Sequence, residues 1–404
     1  MRRLLLLCLL LSLLTACGGS AEYPTEPAVP VESPVSIPEP EPLPIPEPEP
    51  VPVPEPPSDP RRDTVCTLLS AMTVEEKVGQ LFFARCPTAN QAELAAAYHL
   101  GGYLLFGRDF KDAAGNWLTQ PQVTERIASY QSAIPLLIGV DEEGGTVARA
   151  TRNPNLFPQK LKSPQAVFKN GGLEAVAQDA LSVNRGLLAL GINVNFAPVA
   201  DVSTDPAAFI YDRTFGQDAQ STARYIQTAV TAMNEAGIGS VLKHFPGYGD
   251  NADTHTGIAV DKRPLEQFEA ADFLPFRAGI AAGAGSVLVS HNIVTSMDDT
   301  LPASLSPAVH RILRDELGFD GVILTDDLAM DAVEAYAEDG SVAVLAVLAG
   351  NDMVVTTDFE TQIPAVLAAV EAGDIPMETI DRAAERVLLW KYDLGLLSGF
   401  ETGD

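Results

Sequence analysis

The run KHFPGYGDNADTHTGIAVD, residues 243–261, brings Lys243, Asp250, Asp253 and two of the chain's five histidines, His244 and His255, into one turn-rich segment. Three chemistries fit such a run: a metal site, an acid/base loop and a solvated polar loop. A metal site needs three or four ligands in a compact set, and His244 with His255 has neither the HxxxH nor the CxxC spacing that supplies them. Further polar residues follow or end short apolar runs elsewhere: Asp141, Asp201, Lys243 with His244, His291 with Asn292, and Asp326 with Asp327. One such residue only solubilises a strand end. Five sets in five different runs point to a shared face.

The elements that would build that face are β-rich apolar runs separated by longer helical patterns. The runs are QLFFAR, GGYLLFG, PLLIGVD, INVNFAPVAD, GSVLKHF, GSVLVSHN, GVILTDD and NDMVVTT. Eight strands alternating with helices predict a (β/α)8 TIM-like barrel, in which the strand ends converge on the face that carries the chemistry. Intervening stretches such as EAVAQDALSVNRGLLALG and TARYIQTAVTAMNEAG have helical spacing and end in glycine, as crossover helices do.

Four stretches carry a family resemblance: GVDEEGGTVAR (139–149), FAPVADV…YDRTFG (196–216), KHFPGYGDNADTH (243–255) and LPASLSP…LGFDGVILTDDLAM (301–330). In this order they resemble glycoside hydrolase family 3, in particular its single-barrel β-N-acetylglucosaminidases that trim peptidoglycan fragments. The resemblance runs from about Thr64 to Phe400. It implies a retaining exo-acting enzyme with a covalent glycosyl-aspartate intermediate and neither metal nor organic cofactor.

The resemblance also assigns roles. His255, oriented by Asp253, becomes the acid/base; an imidazole titrating near ~6.5 can protonate a leaving oxygen and then act as base. Asp326, the first aspartate of TDDLAM, becomes the nucleophile. Strand alternation is expected to turn Asp327 to the opposite side, where it suits a helix N-cap. Asp141, Arg213, Lys243 and His244 are expected to bind the sugar, with Arg149 and His291 as supports behind them. The pattern departs from the family's commonest form at Tyr248, where PGHG has histidine, and at Thr254, which replaces serine. Rival readings are a β-glucosidase or broader β-hexosaminidase of the same family, and a non-catalytic lipoprotein that binds wall sugars.

The rest of the chain frames this domain. A net charge of −28 excludes nucleic acid as a natural partner. Arg2 and Arg3 precede an apolar run from Leu4 to Leu14, too short for a spanning helix and suited to export. Leu14-Thr15-Ala16-Cys17 resembles the bacterial lipobox, which implies a signal over 1–17, lipidation of Cys17 and an exported protein anchored in a membrane. Residues 18–62 read as a Pro/Glu-rich disordered linker, whose roughly 40 residues in polyproline II reach on the order of 100 Å. The barrel is assigned to 63–404. Cys66 and Cys86 then remain in the exported domain, either paired or as separate thiols.

Overall fold

Each of the eight apolar runs contributes a strand to one parallel sheet. In the computed structural model, which describes residues 59–249, 259–330, 333, 336 and 342–400, the strands are β1 Phe82–Arg85, β2 Gly102–Leu105, β3 Leu137–Val140, β4 Val194–Asn195, β5 Gly239–Phe245, β6 Val260–Asp261, β7 Ser286–Val289, β8 Ile293–Val294, β9 Val322–Thr325 and β10 Val354–Thr356. The sheet order is β10-β1-β2-β3-β4-β5-β7-β9, and a parallel bridge between Leu324 and Met353 joins its two ends into a barrel. The pair β6 and β8 forms a separate two-stranded parallel sheet beside the polar run quoted above.

The barrel interior is filled from alternate positions of the strands. Phe83, Leu104, Leu137, Val194, Phe196, Val241, Leu288, Val322, Leu324 and Val355 form one buried cluster, as strands facing a packed interior require. Phe83 and Phe196 meet edge to face at 5.1 Å. A Cβ on Gly139 would fall 2.6 Å from one ring and 2.8 Å from the other, so this strand position must be glycine. β4 is short because Pro198, three residues beyond it, has no N–H to give to a ladder.

Helices cover the outside. The helix Ala219–Ala236 starts where the Asp218 carboxylate accepts from the Ser221 N–H, buries Tyr225, Ile226, Ala229, Val230 and Met233, and stops at Gly237 in the left-handed region. Its glycine stop is the one expected from the sequence. The first helix, Pro60–Ala71, begins three residues ahead of the expected domain boundary at residue 63, because Asp59 caps its N-terminus and Pro60 suits the first helical position. It packs Val65 against Leu388 near the C-terminal helix Met377–Asp393. Residues 60–62 therefore belong to the folded domain, not to the linker.

Cys66 is exposed and Cys86 buried, and both are free thiols, which settles the alternative left open above. Burial, with the Asp109 carboxylate adding to it, pushes the Cys86 thiol up to about 12.

One buried cation serves the fold and not the polar face. Lys391 donates to Gln80 Oε1 at 2.6 Å, and burial brings its ammonium down to about 7. In the unfolded chain this group keeps an ordinary value near ~10.4. Between pH 7 and 9 the unfolded state then holds more protons than the folded state, so this group's contribution to stability rises with pH. Comparing urea unfolding of the wild type and Lys391→Met at both pH values should show the wild type gaining about 2 kcal/mol relative to the variant. Parallel pH profiles would show that Lys391 keeps its proton when folded.

Candidate active site

The strand ends do meet on one face. Asp141 directly follows β3, Lys243 and His244 lie at the C-terminal end of β5, and Asp326 directly follows β9. These four line a cavity of about 300 Å³ together with Arg85, Phe106, Glu143, Arg149, Arg213 and Asp327. Asp253 and His255 lie outside the described residues, as does Cys17.

The wall opposite Asp326 is built on a carboxylate to which sequence reasoning gave no role. Glu143 accepts from Arg213 through two bonds, Nε to Oε2 at 3.0 Å and Nη2 to Oε1 at 2.8 Å, and lies 2.6 Å from Lys243 Nζ. Lys243 also donates to Asp141 Oδ1 at 2.8 Å. Burial alone would raise the Glu143 carboxyl, yet Arg213 and Lys243 hold it well below the usual carboxylate range. Burial likewise opposes the charge on Lys243, and Asp141 and Glu143 keep its pKa raised. A signal for Glu143 was present: three carboxylates in a row at a strand end, Asp141 to Glu143, must find cations once buried.

Local turns aim these groups. After β3 the chain reverses through Gly144, at φ 93°, where a Cβ would lie 2.1 Å from the Lys162 carbonyl oxygen. Glu142 is buried and staples the returning segment, accepting from the backbone N–H groups of Arg149, Ala150 and Thr151. On β5 the pairing with β7 shifts register between Leu242 and Phe245, and both Lys243 and His244 line the cavity where a regular strand would send one of them outward. Arg213 comes from a short 3-10 turn, Tyr211–Arg213, after β4.

The tautomer of His244 follows from its neighbours. Its Nδ1 lies 2.7 Å from Asp201 Oδ2 and its Nε2 3.0 Å from Arg213 Nη2. A guanidinium only donates, so Nε2 presents its lone pair and Nδ1 carries the proton to Asp201. The His244 ring is thereby held in one tautomer and one orientation. Asp201 is further held by the N–H groups of His244 and Tyr248. The expected strand-end role of Asp201 is thus to back His244.

Asp326 is placed differently. It forms no salt bridge among the described residues; its Oδ1 accepts from the Asp327 N–H at 2.9 Å and its own N–H donates to Val289 O. Burial alone would raise its carboxyl, but His291, His244, the Asp327 amide and Lys243 together outweigh it, and the pKa is lowered. An ionised carboxylate thus faces a wall of cations and hydrogen-bonding groups across an open cavity.

Three expectations are corrected. Asp327 also lines the cavity, since the strand ends at Thr325 and its alternation does not extend to the pair. Its Oδ1 accepts from the Ala329 N–H, which caps a turn, where a helix N-cap was expected. Arg149, expected behind the subsite, lines the cavity with its Nη2 3.6 Å from Asp141 Oδ2. Arg85, which sequence reasoning passed over, lies with its guanidinium 4.2 Å from the Phe106 ring centroid on the same wall. His291 does sit behind the cavity, fully buried. Among the described residues no three histidine, cysteine or carboxylate groups stand close enough to hold a metal ion.

The ends of the segment that carries Asp253 and His255 are anchored. β6 pairs with β8, and Arg263 bonds Asp261, Asp272 and the Gly247 carbonyl together.

Known proteins share this arrangement of chain. Residues 73–389 match the Glycosyl hydrolase family 3 N terminal domain. A β-hexosaminidase of Xylella fastidiosa (strain M12) is 36% identical over 240 residues, covering 58% of this chain and 69% of the relative. The β-hexosaminidase LpqI of Mycobacterium tuberculosis is 33% identical over 335 residues, covering 79% and 83%. Among solved structures, a β-N-acetylglucosaminidase from Paenibacillus sp. str. FPU-7 superposes with a TM-score of 0.73 at 33% identity, covering 83% of this chain and 64% of that one. M. tuberculosis LpqI superposes with a TM-score of 0.69 at 29% identity, covering 86% and 97%.

Removing the central carboxylate charge tests the wall. Glu143→Gln leaves Lys243 and Arg213 short of a counter-charge, and breaking a buried pair in this way should cost about 3 kcal/mol in denaturant unfolding. A loss below about 0.5 kcal/mol would mean that solvent already screens these charges.

Proposed function

The chain belongs to glycosyl hydrolase family 3 and is an enzyme of the β-hexosaminidase type; within that activity we propose that it is a retaining exo-β-N-acetylglucosaminidase, acting on peptidoglycan fragments or related β-linked N-acetylglucosaminides. The observation that carries this reading is Asp326, an ionised carboxylate without a salt bridge among the described residues, facing Asp141, Lys243, Arg213 and His244 across a cavity of about 300 Å³.

In this reading Asp141, Lys243 and Arg213 hold the ring hydroxyls, offering both donors and acceptors, and His244 holds the Arg213 guanidinium in place. Asp326 attacks the anomeric carbon and forms an ester while the glycosidic bond breaks. His255 gives its proton to the departing oxygen, then takes one from the water that attacks the same carbon and releases Asp326. Asp253 orients His255. Two displacements at one carbon retain its configuration. The enzyme is exported and anchored by acyl chains at Cys17, with the Pro/Glu-rich segment as a stalk toward the wall.

Side-by-side rates on aryl N-acetyl-β-glucosaminide, β-glucoside and β-xyloside, with NMR of the first-formed anomer, test substrate and stereochemistry together. The expected result is preference for the N-acetylglucosaminide and a β-anomer product. An α-anomer would overturn the two-step mechanism, and a faster β-glucoside would favour the rival activity. In the same assay Asp326→Asn should lose at least ~1,000-fold in turnover, and His255→Ala should slow poor leaving groups far more than activated ones. Equal losses for all leaving groups would remove His255 from the acid role.

The anchor has its own test. Wild-type protein expressed with its full N-terminus should partition into detergent, and Cys17→Ala should move it to the aqueous phase. An alanine variant that still follows the membrane would exclude lipidation there.

A further inference from the structure

We propose that His291 and Ser304 form a positioning pair for the nucleophile: Ser304 sets the His291 tautomer, His291 holds the backbone of Asp327, and the Asp327 N–H aims the Asp326 carboxylate. The proposal rests on the reading of Asp326 as nucleophile.

The links to backbone carbonyls have directions fixed by chemistry, and the direction of the Ser304 link follows from them once the ring is neutral. β7 and β9 are neighbours, with Val289 opposite Thr325, and the Asp326 N–H donates to Val289 O at 2.9 Å. Two residues beyond Val289, the fully buried His291 places Nε2 3.1 Å from the Asp327 carbonyl oxygen. A carbonyl only accepts, so Nε2 must carry a proton. On the other side of the ring, Nδ1 lies 2.7 Å from Ser304 Oγ, and a hydroxyl can donate to a bare Nδ1. Without that donor the proton is free to move to Nδ1, and the Asp327 carbonyl then loses its bond from His291 and keeps the one from the Met330 N–H at 3.0 Å.

The segment that His291 grips leads directly to the carboxylate. The peptide between Asp327 and Leu328 is held from both sides, its carbonyl by His291 and by the Met330 N–H at 3.0 Å, its own N–H by Val355 O at 2.9 Å. With that peptide fixed, and with Asp326 tied to Val289, the Asp327 N–H points at Asp326 Oδ1 at 2.9 Å. Among the described residues no other hydrogen bond orients this carboxylate, so its aim depends on the backbone behind it. Misplacing a reacting atom by about 1 Å costs on the order of 100-fold in rate.

Ser304 is itself immobilised. It lies in the 3-10 turn Ala303–Leu305, its N–H donates to Ser290 O at 3.0 Å, and its carbonyl accepts from Asn351 Nδ2 at 2.8 Å. This gives the LPASLSP stretch a job that its sequence alone did not disclose.

The test measures the rate of glycosyl-enzyme formation in a single turnover with an activated aryl N-acetyl-β-glucosaminide, alongside binding of N-acetylglucosamine as a competitive inhibitor. His291→Leu should slow the first step by about 10- to 100-fold and leave sugar binding within about threefold. His291→Gln, which keeps an N–H donor, should recover at least about tenfold of that loss. Ser304→Ala should slow the step about 3- to 10-fold, and the double variant His291→Leu/Ser304→Ala should be no slower than His291→Leu alone. Should His291→Leu not fold, Ser304→Ala and His291→Gln decide the matter between them. Wild-type rates in His291→Leu or Ser304→Ala, a glutamine variant no faster than leucine, or sugar binding that weakens in step with the rate would each overturn the pair. Asp326→Asn, run in parallel, separates the two levels. If it is inactive while the His291 variants react normally, only the positioning fails; if it turns over normally, the nucleophile assignment fails first.

Discussion

A carboxylate surrounded by two cations at the top of a barrel governs this structure. Glu143, Lys243 and Arg213 are each too costly to bury alone, and the low-dielectric interior that makes them costly also makes their mutual attraction strong. The three come from the ends of β3 and β5 and from the turn after β4, so satisfying them fixes how those segments sit against one another. Asp141 extends the set by sharing the Lys243 ammonium, and Arg149 extends it to the cavity rim. The arrangement presents carboxylate and guanidinium edges at set positions, which suits the hydroxyl groups of a sugar.

The same constraint divides labour between the histidines. With Arg213 donating to Nε2 and Asp201 accepting from Nδ1, both nitrogens of His244 are committed, and the ring has no proton to exchange with a substrate. A proton donor must come from elsewhere on this face. The segment holding Asp253 and His255 is flanked by the β6 and β8 pair and by the Arg263 bond to Gly247 O. Among the described residues Asp326 has no salt bridge, and its hydrogen bonds run to backbone groups. The residues of the cluster are locked by ion pairs, while Asp326 is aimed by the chain.

The barrel's filling supports this face from below. Phe83 and Phe196 occupy the interior only because Gly139 offers no side chain to the space between them. Gly139 lies on β3, two residues before Asp141, so the position that admits the aromatic pair also places the strand end that carries the acidic run. Packing and chemistry are therefore coupled along a single short strand.

Much of this was legible in the linear chain. Every one of the eight apolar runs became a barrel strand, since β-rich runs between helical patterns depend on local spacing that needs no knowledge of partners. The convergence of Asp141, Lys243, His244 and Asp326 followed from the barrel topology, and Gly237 ended its helix where a left-handed residue was expected. What only the tertiary structure decided was the choice of partners. Glu143 drew no attention because its importance lies in cations 70 and 100 residues away, and nothing within DEEGG states which of its carboxylates will meet them. Asp326 and Asp327 share a cavity because the strand stops at Thr325, and Lys243 and His244 share it through a register shift against β7. Strand alternation, read locally, separates both pairs. Ser304 gains its meaning only beside His291, thirteen residues back along the chain. Periodicity is a short-range property of the sequence, whereas hydrogen-bond and charge partners are set by distances that exist only once the barrel has closed.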